Sequence, residues 1–308
     1  MILKKKAHLL LRLIIGISIV AFLVLTFDPG QIAGTLKGAN PCFLLAAVAL
    51  YCCTLAILTG RWQYILKKMN IRLGFREAYT AFTAGILLSD ITPARIGDFS
   101  RPLLIRQTAD IPTGTASVVL DRYADLITIL LLGTTGLFVL SAAYRSVLLL
   151  LIPCLLILLI LPLILVIIRP ALALKITGYI RIERLRTFVN GVIDVISRMN
   201  HPGSLMAKTI SLTAFVWLLH ALRIALIALS VGYTVSLAEL VLLQPLVSAL
   251  SLIPVSIAGL GLVEGGLAAV LAQMGIPLSA GLSVALLDRM LTVAVHLIIG
   301  GKKAVTGL

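Results

Sequence analysis

The chain has 308 residues, 60% hydrophobic and 12% charged, with a mean hydropathy of +1.12. No soluble domain of that length has an interior large enough for so much apolar surface, so the composition specifies an all-α integral membrane protein. The net charge of +14 falls in short clusters between apolar runs, the positive-inside pattern of a membrane protein rather than a nucleic-acid footprint.

Lys4, Lys5 and Lys6 precede an apolar run over 9–27 that Asp28-Pro29-Gly30 ends. The run is too long for the core of a cleaved signal peptide and reads as a retained first span. A second span covers 41–60, and Arg61, Lys67, Lys68, Arg72 and Arg76 behind it are assigned to the cytoplasm. A third span covers 113–140. A fourth covers 145–168, with Pro153 and Pro162 as kinks. Residues 169–205 are polar and basic, with Ile180, Leu185, Phe188, Val192 and Val195 at helical spacing. They read as a cytoplasmic amphipathic linker lying on the anionic leaflet. A fifth span covers 205–231 and a sixth 280–301, after which Lys302 and Lys303 stay cytoplasmic.

Two apolar segments, 77–110 and 237–277, are each interrupted near the middle by Pro and Gly. Neither half is long enough to cross about 30 Å of hydrocarbon at about 1.5 Å per residue. Both are therefore expected to be re-entrant hairpins, giving about six full spans plus two hairpins.

The chain also repeats itself. Leu120-Asp121-Arg122 and Leu287-Asp288-Arg289 each open an apolar stretch that reaches glycine eleven residues after the arginine, at Gly133 and Gly300. An Ile-Pro lies upstream of both, Ile111-Pro112 and Ile276-Pro277. Because each half holds three spans and a hairpin, the halves 1–140 and 141–308 begin on opposite sides. The expected architecture is an inverted repeat, whose broken segments mark a transporter's site near the midplane.

The first tip turns at Pro93 and Gly97, the second at Pro254, Gly259 and Gly261. Arg95 offers a planar fork of donors suited to phosphate, unless it pairs with Asp90 or Asp98. Half-helices starting after Gly97 and Gly261 would aim N–H groups at an anion. Ser256 and Glu264 supply a hydroxyl and a carboxylate to the second tip. Asp121 and Asp125 share a helix face, from which Arg122 points away. They and Asp288 are candidates to hold the hairpins by ion pairs. Arg223, one turn from His220 in apolar sequence, needs a buried carboxylate, Glu264 or Asp125. Arg95, Asp98, Asp121, Asp125, Arg223, Ser256 and Glu264 are thus the expected substrate residues. No catalytic, metal-ligand or nucleotide-cofactor pattern is present in the sequence. Cys42, Cys52, Cys53 and Cys154 sit in apolar segments with no ligand spacing.

At these residues the chain resembles the lysylphosphatidylglycerol synthase transmembrane-region family, often called the flippase-like domain. The resemblance rests on Thr92-Pro93-Ala94-Arg95-Ile96-Gly97-Asp98, on Leu120-Asp121-Arg122-Tyr123-Ala124-Asp125, and most specifically on Pro254 through Gly259 and Gly261 to Glu264. With the span order it covers nearly the whole chain. Family members more often have Glu where Asp98 stands, a conservative departure. Some members carry a C-terminal aminoacyltransferase domain. The chain ends at Leu308, so the resemblance implies the lipid-translocating half alone, not an enzyme.

The expected function is movement of a phospholipid or polyprenyl-phosphate headgroup between leaflets of the plasma membrane, by a multi-pass protein with both termini cytoplasmic. The partner is an anionic membrane lipid. Two rivals remain: a membrane subunit presenting a lipid-linked substrate to a glycosyltransferase or other envelope enzyme, and a carrier of a small soluble anion.

Overall fold

A computed structural model describes residues 15, 17–26, 29–140, 158, 160–199 and 201–307. Among the described residues every regular element is helical. The chain begins with α1 (Ile17–Thr26) and α2 (Pro29–Lys37), bent by 94° at a break holding Pro29. Then follow α3 (Pro41–Lys68), α4 (Phe75–Asp90), a 3₁₀ turn (Ile96–Ser100), α5 (Arg101–Leu104) and α6 (Ile111–Leu140). A second bent pair, α7 (Ile160–Ile168) and α8 (Pro170–Thr177), turns by 112°. The rest is α9 (Glu183–Ser197), α10 (Pro202–Ser230), α11 (Leu237–Ala249), α12 (Leu262–Gln273) and α13 (Leu278–Thr306). Among the described residues three helices, α3, α10 and α13, are long and apolar enough to cross a bilayer. The number rises to five if each bent pair is one span. The N-terminal lysines, the kink expected at Pro153 and the start of the fourth span at Arg145 lie outside the described residues.

Local chemistry sets the helix starts. Asn40 caps α3 by accepting from the Cys42 amide at 2.9 Å, with Pro41 in the first turn. Asp110 does the same for α6, accepting from Thr113 N–H at 3.1 Å. Each Ile-Pro of the repeat stands at the head of a long helix: Ile111-Pro112 opens α6 and Pro277 caps α13.

Three expectations need correction here. Helix α3 does not stop at Gly60 but runs on to Lys68, and Arg61 is buried rather than cytoplasmic. A charge at the end of an apolar run resembles a flank, but Trp62, Ile65 and Leu66 beyond it are buried and carry the helix further into the protein. The amphipathic linker does not offer its whole apolar face to lipid, because α9 buries Ile196 in a cluster with α6 residues such as Ala116 and Leu120, and Val192 and Val195 pack against that cluster. Hairpin one does not return as a half-helix from Gly97. Pro102 lacks the N–H that would bond the Asp98 carbonyl, and Arg101 Nε donates to that carbonyl at 3.3 Å instead. The chain then passes through a 3₁₀ turn and a single helical turn. The second hairpin does resume as expected, with α12 starting at Leu262.

The two tips touch. Pro93 and Ile257 form an isolated antiparallel bridge. Gly97 is held so close to α4 that a Cβ there would lie 2.2 Å from the Leu88 and Ser89 backbone, so no other residue fits. Helix α13 packs on α4, and α6 on α11. The repeated glycines lie at those contacts, Gly133 against Leu246 of α11 and Gly300 against the Thr83–Ala84 backbone of α4. A Cβ at Gly300 would sit 2.6–2.8 Å from backbone atoms that cannot rotate away. Gly300→Ala should therefore cost about 1–3 kcal/mol. Its neighbour Gly301 has nothing within 4 Å, so Gly301→Ala should be neutral or stabilising by up to about 1 kcal/mol. Thermal melting of the two variants in detergent checks the opposite signs.

Candidate functional site

Between the tips and the long helices lies a cavity of about 580 Å³. Its floor and walls come from α3, α4, α6, both tips, α10, α12 and α13. Two charge networks and one hydrogen-bonded chain line or back it.

The first network ties the first tip to α6. Arg61 Nη2 meets Asp121 Oδ1 at 2.6 Å, and Arg61 Nη1 meets Asp125 Oδ1 at 2.5 Å and also donates to Thr213 Oγ1. Arg101 Nη1 meets Asp121 Oδ2 at 2.9 Å. The Arg101 guanidinium also lies over the rings of Trp62 and Phe82, 5.3 and 4.7 Å from their centroids. Arg122 reaches Asp98 at 3.1 Å and Asp125 at 2.8 Å. Arg61, Arg101 and Asp121 have no exposed side-chain surface, so their charges are compensated within the network and not by water.

The second network ties the second tip to α13. Arg223 on α10 pairs with Asp288, Nε to Oδ1 at 2.7 Å and Nη2 to Oδ2 at 3.1 Å, a bidentate contact. Arg289 pairs with Glu264 at 3.2 Å and donates to the Ala258 carbonyl at 3.3 Å. The other Glu264 oxygen accepts from Gly261 N–H at 2.6 Å. Where Arg61, Arg101 and Asp121 of the first network are wholly enclosed, every member of this one keeps some exposure, Asp288 17% and Arg289 23%.

The third set bridges α3, α4 and α13. Tyr51 Oη lies 2.5 Å from His296 Nε2 and His296 Nδ1 lies 2.6 Å from Asp90 Oδ2; a neutral His296 facing an ionised Asp90 donates from Nδ1–H to that carboxylate and accepts from the Tyr51 hydroxyl at Nε2. All three side chains face the cavity.

Of the expected substrate residues, Arg95, Asp98, Asp125, Arg223 and Glu264 line the cavity. Asp121 and Ser256 do not: Asp121 lies behind the wall on its arginines, and Ser256 is wholly buried in the second tip. Arg95 pairs with neither Asp90, which His296 holds, nor Asp98, which Arg101 and Arg122 hold. Among the described residues its guanidinium has no hydrogen-bond or ion-pair partner, while its own backbone is left-handed at φ 54° and its carbonyl accepts from Ser89. The tip amides are not free for an anion either. Gly97 N–H donates to Thr92 Oγ1 at 2.9 Å and Gly261 N–H to Glu264. Arg122 does not point away from Asp121 and Asp125, because its long stem curls back to both.

Arg223 takes Asp288 as partner, not Glu264 or Asp125. Glu264 is already committed to its own helix start and to Arg289, and Asp125 to Arg61 and Arg122. Arg223→Ala and Asp288→Ala should couple by about 0.5–3 kcal/mol in a double-mutant cycle, well above the coupling of Arg223→Ala with Glu264→Ala. Melting temperatures of the single and double variants decide, and the reverse order would refute the pairing.

Arg61, Arg101, Asp90, Tyr51 and His296 were missed by sequence reasoning. For Arg61 there was a signal: it precedes Lys67 and Lys68 by more than one helical turn, with apolar residues between. For Asp90 and His296, 206 positions apart, there was none.

Residues 9–300 match the sequence profile of the lysylphosphatidylglycerol synthase transmembrane region. The chain belongs to that family. It is 24% identical over 314 residues to a UPF0104 membrane protein of Methanothermobacter thermautotrophicus, covering 91% of this chain and 90% of that one. It is 23% identical over 317 residues to a UPF0104 membrane protein of Pyrococcus horikoshii, covering 94% and 95%. A shorter similarity, 28% over 131 residues, links 41% of this chain to 20% of the glycosyltransferase AglD of Haloferax volcanii.

Proposed function

We propose that the protein moves an anionic lipid headgroup, a phospholipid or polyprenyl phosphate, between leaflets of the plasma membrane, with both termini cytoplasmic. The observation that carries this reading is Arg95. Among the described residues it is the cavity arginine without an acidic partner, and it stands where the two tips meet. A planar guanidinium left free beside an apolar cavity suits a phosphate oxygen pair. The reading is of a translocator rather than an enzyme.

The two networks support the inverted repeat of 1–140 and 141–308. Arg61 on Asp121 corresponds to Arg223 on Asp288, and Arg122 on Asp98 corresponds to Arg289 on Glu264. In each half an arginine of the Leu-Asp-Arg motif clamps the acid of its own tip. An aspartate of the same motif holds an arginine from a neighbouring long helix.

The test is leaflet exchange in reconstituted vesicles of tail-labelled phosphatidylglycerol, with labelled phosphatidylcholine beside it. Dithionite should bleach inner-leaflet phosphatidylglycerol only when the protein is present, and phosphatidylcholine less. Bleaching confined to the outer leaflet for both lipids would refute translocation. The similarity to AglD supports a second reading, in which the cavity presents a lipid-linked sugar to a partner enzyme. Phosphatidylglycerol or a polyprenyl phosphate would then bind without crossing. Uptake of inorganic phosphate into the vesicles without lipid exchange would favour the soluble-anion carrier.

A further inference from the structure

The cavity's charges nearly cancel, and the remainder is informative. In the first network three arginines (61, 101 and 122) face three aspartates (98, 121 and 125). In the second, Arg223 and Arg289 face Asp288 and Glu264. Each network is neutral by itself. What is left is Arg95, free, and Asp90, bonded to His296. With His296 neutral, Asp90 and Arg95 offset one another across the cavity and the site as a whole carries no charge. An anion entering then leaves one uncompensated negative charge in a low-dielectric space, which is costly. One proton added to the Asp90–His296 pair removes that cost.

The chain Tyr51–His296–Asp90 is built to hold such a proton. When His296 is neutral, its Nδ1–H donates to the Asp90 carboxylate and its Nε2 accepts from Tyr51 across the 2.6 and 2.5 Å contacts. A proton arriving at Nε2 makes an imidazolium that donates on both sides, and the Tyr51 hydroxyl has only to rotate and accept. The surroundings set the balance. From α3 comes Tyr51 itself. From α10 come Arg223, 4.6 Å over the Tyr51 ring, and His220, whose ring centroid is 6.4 Å from that of Tyr51. From α4 comes Asp90, and Arg95 lies in the same cavity on the first tip. On α13 itself Asp288 and Arg289 are bound to Arg223 and Glu264. Across the cavity, Arg122 and Asp125 are bound in the first network. Apart from Asp90 and Arg95, each acid and arginine here already has an opposite charge beside it.

We infer that Tyr51, His296 and Asp90 form a proton site, and that the anionic headgroup enters at Arg95 together with one proton held there. This rests on the reading of the cavity as an anionic-headgroup site, and it assigns that site its co-substrate. Movement of the headgroup is thereby linked to a proton, which places buried Asp–His chemistry in a role such chains serve in membrane transport. The proton is neither created nor consumed: it joins from solvent on binding and leaves on release.

The experiment is calorimetric titration of the purified protein with dihexanoyl phosphatidylglycerol at neutral pH, in two buffers of different ionisation enthalpy. The wild type should take up about one proton per lipid bound, and its affinity should fall by up to about tenfold per pH unit on the alkaline side. Asp90→Asn leaves Arg95 permanently uncompensated, so it should bind at least as tightly as the wild type, with no proton uptake and a flat pH profile. Equal enthalpies in the two buffers for the wild type would overturn the proton site, and so would uptake retained by Asp90→Asn. The wild-type comparison stands even where the variant fails to fold. Absence of binding by the wild type at every pH overturns instead the anionic-headgroup reading on which the inference rests.

Discussion

Asp121→Asn should be the most destabilising single substitution in the protein. One carboxylate at this position answers Arg61 at 2.6 Å, Arg101 at 2.9 Å and Arg122 at 3.4 Å. The asparagine has nearly the same shape, so packing is kept and only the charge is lost. Arg61 and Arg101 are fully buried and have no solvent to turn to. Removing one member of a buried ion set costs about 3–5 kcal/mol, a large part of a typical folding stability of about 5–15 kcal/mol. The melting temperature should fall by at least about 6 °C by the scaling for soluble chains of moderate size. Asp288→Asn is the matched control. It meets one arginine and keeps some exposure, so its cost should be smaller. Adding Arg101→Met to Asp121→Asn removes one stranded charge while keeping an apolar stem between Trp62 and Phe82, and should restore part of the loss. A melting curve for Asp121→Asn that overlays the wild type would show that the network does not hold the fold.

The sequence made the helix starts and the two breaks legible because those features are local. Ile-Pro before an apolar run and Pro with Gly inside an apolar run act within a few residues of themselves, whereas the Asp110 cap of α6, equally local, was passed over. The glycine echo at 133 and 300 was visible as a pattern, but its cause was not, since the α4 backbone and the Leu246 side chain of α11 that need the space lie far away in the chain. Charge partners were the least legible. Arg223 and Glu264 are both costly alone in an apolar span, and that argument correctly says that each has a partner. It does not say which, because any buried carboxylate within reach satisfies it. Asp288 had been set aside as a hairpin clamp, although an acid beside a buried arginine can do both. The free state of Arg95 followed from the same exclusion: its two nearest acids in sequence were taken by residues 206 and 24 positions away from them.

Arg95→Lys should impair transport far more than folding. The residue contributes no contact to either network, and its guanidinium is half-buried at the rim of the cavity. Stability should therefore change little, in contrast to Asp121→Asn. The lysine keeps the charge, so long-range attraction of an anionic lipid survives. What it loses is the paired donors that grip two phosphate oxygens at once. A hydrogen bond to a charged group is worth about 1.5–3 kcal/mol, so affinity for a phosphate headgroup should drop roughly ten- to a hundredfold. Arg95→Ala loses the charge as well and should fall further. Leaflet exchange of phosphatidylglycerol at equal protein insertion, with melting temperature measured on the same preparations, separates the outcomes. Wild-type exchange by Arg95→Ala would remove Arg95 from the site. Full exchange by Arg95→Lys with loss in Arg95→Ala would reduce its role to bare charge. Loss of exchange in step with melting temperature would make it structural. The left-handed backbone at Ala94 and Arg95, both at φ 54°, favours the first expectation. Non-glycine residues in that conformation carry strain that the surrounding fold must offset, and here the two of them turn the chain at the point where Arg95 enters the cavity between the tips.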